Sequence, residues 1–127
     1  MPDAPSNDES LATLDANVVA QLRRLRSGDS EDLFTRLVGL FHTASADYAA
    51  QLQEALASQD FGFAAALCHK LKSSAGNVGA LAFSQRTSLL EQLCIQGNAA
   101  RAAQVLNELQ AAWPSLLRAL TAATTHG

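Results

Sequence analysis

The chain has 127 residues, 48% of them hydrophobic and 6% aromatic, with a formal net charge of −3. That is one domain's length, enough to bury a core without disulfides or metals. The acidic balance argues against a general nucleic-acid binder, and the wealth of alanine and leucine favours packed helices over a β-sandwich.

Residues 1–13 are polar and acidic, with Pro2 and Pro5, and read as a disordered leader or linker. They lack the basic start and apolar run of a signal peptide. No apolar stretch approaches the roughly 20 residues of a membrane span, so a cytoplasmic protein without membrane insertion is expected. The packed domain is expected over 14–123, with a frayed tail over 124–127. A short helix opens it, with Asp15 as N-cap, Leu14, Val18, Leu22 and Leu25 at helical spacing, and Gly28 as its end.

Ser30 is expected to cap a second helix, with Glu31 and Asp32 in its first turn, where the helix dipole favours negative charge. Its apolar stripe runs through Leu33, Leu37, Leu40, Phe41, Ala44, Tyr48, Leu52 and Leu56 until Ser58, Gln59 and Asp60 break it. A third helix follows Asp60, burying Phe63, Leu67, Leu71, Ala75 and Val78, and ends in Gly76-Asn77-Val78-Gly79. A fourth carries Ala80, Phe83, Thr87, Leu90 and Cys94 up to Gly97. Asn98 caps a fifth, with Val105, Leu109, Ala112, Trp113, Leu116 and Leu120 on one side and Pro114 as an expected kink. With no strand pattern, the expected fold is all-α: an up-down-up-down four-helix bundle with a short N-terminal capping helix.

Cys68 and Cys94 have no metal-ligand spacing and fall at helical positions. Buried thiols in a reducing compartment are the simplest reading, although the sequence leaves a bridge between them open.

The third helix carries the chemistry. Each residue advances about 100° around the axis, so His69, two residues from both Leu67 and Leu71, points roughly 160° away from them, toward solvent. Its neighbours on that face are Gly62, Ala65, Ala66, Lys72, Ser73 and Gly76. An ordinary solvated face carries long charged side chains. This one is a flat platform that lets another protein approach the imidazole. The only two lysines, Lys70 and Lys72, flank His69, and no carboxylate lies between Asp60 and Glu91. Lys72, one turn away on the same face, can reach a group bonded to the ring. Nearby positive charge also disfavours imidazolium and keeps the ring nucleophilic. His42 and His126 lack such surroundings; His42 reads as structural or solvated, His126 as tail.

The run from Ala66 to Ala80, with His69-Lys70-Leu71-Lys72-Ser73-Ser74 followed by Gly79-Ala80, resembles the signature of histidine-containing phosphotransfer (HPt) domains. The stretch from Leu14 resembles the family's opening helix and Leu89-Leu90-Glu91 its fourth, so the resemblance covers about 14–122. It implies that His69 accepts a phosphoryl group from one receiver-domain aspartate and passes it to another, with Lys72 stabilising the phosphoryl group. Ser73, often glycine in the family, admits the receiver. Gly62, Ala65, Ala66, Lys70, Ser73 and Gly76 form the expected docking surface. The chain holds no carboxylate cluster for a metal, so it has no cofactor of its own and the receiver supplies Mg²⁺. The expected role is that of a monomeric phosphocarrier rather than an enzyme. Its partners are response-regulator receiver domains and a hybrid histidine kinase, of which the chain could be the C-terminal module. No nucleotide-binding glycine loop, paired Glu-x-x-His metal motif or strand-built RNA module accompanies the helices. The alternative is a non-catalytic helical binding module that docks and sequesters a signalling partner, with His69 incidental.

Overall fold

The computed structural model describes residues 10–26 and 31–125. Five named helices make up these residues: α1 (Ala16–Arg23), α2 (Leu33–Ala57), α3 (Phe61–Asn77), α4 (Leu81–Ile95) and α5 (Ala99–Thr125). Helices α2 to α5 close a ring, in which α2 packs on α3, α3 on α4, α4 on α5 and α5 back on α2. Short joints make successive helices antiparallel, giving the up-down-up-down bundle. The short α1 packs on α2. Its N-cap residue Asp15 also donates its backbone N–H to the Gly79 carbonyl at 2.8 Å, in the α3–α4 joint.

The joints follow from cap chemistry. Asp60 and Asn98 accept from the amides of Phe63 and Arg101, each at 3.2 Å. Gln59, Gly79 and Gly97 take left-handed backbone at φ 58°, 84° and 72°, which turns the chain back after α2, α3 and α4. The cap of α2 is Asp32, not Ser30. Its carboxylate accepts from the Thr35 amide at 2.7 Å, and that hydrogen bond holds its carboxyl below the usual range. Ser30 and Gly28 lie outside the described residues. Helix α1 ends at Arg23, and the Leu33 amide donates to the Leu25 carbonyl at 2.7 Å to close the connection.

Phe34, Leu52, Leu71, Phe83, Leu90, Leu109, Leu116 and Leu120 are fully buried. Phe83 meets Trp113 edge to face with ring centroids 5.2 Å apart, a favoured aromatic geometry. Three residues of the expected apolar stripes stand outside: Leu25, past the end of α1, is 52%, Leu40 56% and Phe63 48% exposed. Leu40 sits about 100° from Phe41 around α2, beyond the edge of the buried stripe. Phe63 is displaced because Ala64 takes the inward position in the first turn of α3. Leu11 is buried against the core, so packing begins before Leu14. Helix α5 passes through Pro114 without interruption; the ring is on the exposed side, while Trp113 and Leu116 are buried. Cys68 and Cys94 are free, buried thiols. A hydrogen bond to Cys94 and burial push the Cys68 thiol up. No described helix is long and apolar enough to cross a membrane.

Candidate functional site

Helix α3 buries Ala64, Leu67, Cys68, Leu71 and Ala75. On its opposite side His69 stands with its side chain 67% exposed. The helical period alone dictates that orientation.

The imidazole is not alone. Its Nδ1 lies 3.3 Å from Oε2 of Glu91 on α4. The other oxygen of that carboxylate, Oε1, accepts from Lys72 Nζ at 2.7 Å. Glu91 therefore ties His69 and Lys72 together, with its own side chain only 12% exposed. The α3–α4 hairpin brings it there. The Ser84 hydroxyl donates to the Lys72 carbonyl at 2.7 Å, and a Cβ on Gly76 would lie 3.6 Å from Ser84 Oγ. This close pairing lays the last two turns of α4 beside the middle of α3.

The positive island expected around His69 is corrected accordingly. Lys72 is paired with a carboxylate rather than free beside the ring. Its hydrogen bond holds the Glu91 carboxyl below the usual range, against the opposing effect of burial. An ionised Glu91 favours the tautomer with hydrogen on Nδ1, which leaves the lone pair on Nε2. Lys70 is exposed and borders a groove shared with Asp47 and Tyr48 of α2.

Of the expected docking residues, Gly62, Ala66, Lys70 and Ser73 are exposed, whereas Ala65 and Gly76 are half-buried. Gly76 faces α4 through Ser84, so it serves helix packing more than the open platform. A Cβ on Gly62 would touch nothing within 4 Å. His42 is a tie between helices: its Nε2 lies 2.9 Å from Thr121 Oγ1 of α5. His126 lies outside the described residues. Among the described residues no group of three or more His, Cys, Asp or Glu side chains is placed to hold a metal ion.

Sequence reasoning missed the contact of Glu91 with the site. The signal was present, because Glu91 is the one carboxylate between Asp60 and Glu108. A lone acid in such a stretch lies opposite the only two lysines.

A protein-family model described as Hpt domain matches residues 36–123. The chain belongs to the Hpt family. Hpt domains are helical phosphocarrier modules of two-component signalling, built for histidine phosphotransfer with receiver domains and kinases. The match starts inside α2, so α1 lies outside it, although the sequence resemblance extended back to Leu14. It includes His69, Lys72 and Glu91. No curated protein and no solved structure matches the chain.

Proposed function

We propose that this Hpt domain relays a phosphoryl group between receiver-domain aspartates, with His69 as the phosphoacceptor. The observation that carries this reading is that His69 stands exposed on α3 among small side chains, with its Nδ1 3.3 Å from Glu91 Oε2. Nε2 attacks phosphorus in line as the bond to the donor carboxylate breaks, and the receiver contributes the Mg²⁺ that neutralises the transferring group. Lys72 is one helical turn away and offsets the charge that arrives on the ring. Gly62, Ala66, Lys70 and Ser73 receive the partner. The chain acts as a cytoplasmic, monomeric phosphocarrier between receiver domains and a hybrid histidine kinase, as a separate protein or as that kinase's C-terminal module.

Intact mass tests the reading after incubation with phosphoramidate and, separately, with a phosphorylated receiver domain. Wild type should gain one acid-labile phosphoryl group and His69→Gln none. No gain in wild type from a competent receiver would leave a sequestering module instead.

A further inference from the structure

The α3–α4 pairing brings two thiols of the core together. Cys68 and Cys94 lie on α3 and α4, which pack on each other. Cys68 is 0% and Cys94 1% exposed, and both are free. We propose that they form an oxidation site, at which hydrogen peroxide converts the facing thiols into an intramolecular disulfide that staples α3 to α4. The inference stands apart from the phosphoacceptor reading of His69.

The register of the two helices carries it. The Ser84–Lys72 hydrogen bond near the start of α4 and the His69–Glu91 contact near its end fix the helices antiparallel. One residue back on α3 and three residues on along α4, each helix has turned its side chain into the core. Cys68 and Cys94 occupy those positions. Their sulfurs are in hydrogen-bond contact, with the Cys68 thiol donating to Cys94. Bonding draws such a pair to about 2.05 Å, a movement of side chains on helices already packed together.

The two sulfurs have different parts in the reaction. Cys94 sits in the last turn of α4, which ends at Ile95, whereas Cys68 is in the middle of α3. A terminal turn opens more readily than a helix interior, so the small oxidant reaches Cys94 first. The hydrogen bond from Cys68 lowers the Cys94 thiol, against burial and the nearby Glu91 carboxylate. The thiolate is the attacking form. The Cys94 sulfur attacks peroxide, the O–O bond breaks, and the departing hydroxide takes a proton to become water, leaving a sulfenic acid. The Cys68 sulfur then attacks the Cys94 sulfur. The S–S bond forms, the S–O bond breaks, and hydroxide leaves with the Cys68 proton as a second water. Two thiols lose two electrons and two hydrogens, and one peroxide becomes two waters. The covalent ring so closed contains His69, Lys72 and Glu91, and it holds the hairpin that carries them against local opening.

Thiol counting on the full wild-type chain tests the inference. Folded protein is treated with hydrogen peroxide, then denatured in urea with N-ethylmaleimide. The treated chain should take up no maleimide and run as a monomer without reductant. Digestion should yield the Cys68 and Cys94 peptides joined, at about 2 Da less than their separate masses. Dithiothreitol should restore labelling of both cysteines. The oxidised chain should unfold at a urea midpoint about 1–2 M above that of the reduced chain. Cys68→Ala should halt at a Cys94 sulfenic acid that dimedone traps, and Cys94→Ala should give no such adduct. Full labelling after peroxide, oxygen added to either cysteine without a joined peptide, a disulfide between chains, or an oxidised form no more stable than the reduced one overturns the inference. The wild-type readings decide it even where a core variant fails to fold.

Discussion

Lys72 reaches across from α3 to place its ammonium 2.7 Å from the Glu91 carboxylate on α4, in a site where that carboxylate also meets His69. The lysine is thus held ready one turn from the imidazole. Lys72→Ala removes the ammonium paired to the site carboxylate, and single-turnover transfer from a phosphorylated receiver should slow about tenfold. Its folding stability should change by less than about 1 kcal/mol, since the pair is partly solvated. An unchanged transfer rate would strip Lys72 of its role in phosphoryl stabilisation.

Ser73 tests the platform apart from the chemistry. It is exposed on the same face as His69. A tryptophan there would hold a partner's surface away without touching the core. Ser73→Trp should reduce transfer from a receiver by about tenfold or more, while labelling by phosphoramidate, which needs no docking, stays within about twofold. Equal loss with both donors would mean that the substitution disturbs the histidine itself.

Gly79 tests how the site helix is anchored. Its φ of 84° belongs to the left-handed region, and a Cβ there would lie 3.4 Å from the Asp15 carbonyl and from Val19. Gly79→Ala should cost about 1–2 kcal/mol in urea unfolding, from backbone strain and crowding against α1. At Gly62 the same methyl meets open space. Gly62→Ala should be neutral or stabilising by about 0.5 kcal/mol.

Asp32 gives the chain an acid-sensitive joint. The Thr35 amide holds its carboxyl below the usual range. A depressed folded value means that the cap stabilises fully above the unfolded value of about 3.9 and is lost as pH falls through the folded value. Asp32→Ala should therefore cost about 1 kcal/mol at pH 7. Urea midpoints of wild type and variant should converge toward pH 2; a constant gap would show that the charge does not matter.

Much of this was legible along the chain. Helical spacing alone set His69 opposite Leu67 and Leu71, and the Asp15 and Asn98 caps fell where their side chains meet the next turn. What escaped was of two kinds. Ser30 was the expected cap, with Asp32 in the first turn, but Asp32 meets the Thr35 amide, and local pattern could not choose between two capping side chains two residues apart. Glu91 required something more. It lies 19 residues beyond Lys72, and its place depends on the register of α3 against α4, which Ser84 and Gly76 set through contacts between helices. Helix α4 hid that register. It buries Phe83, Leu90 and Leu93 yet leaves Leu81 and Ile95 exposed, so its inward face is poorly marked. Phe63 and Leu40 misled in the same way, because apolar spacing gives a stripe without its edges.

The contact of His69 with Glu91 has a consequence for traffic. Nδ1 is occupied by Glu91, so on the proposed relay donor and acceptor would have to come to the same remaining ring nitrogen. Two receiver domains cannot occupy it together. Each exchange of the proposed relay would then require the first visitor to leave before the second arrives, and its throughput would be capped by how quickly a spent donor lets go.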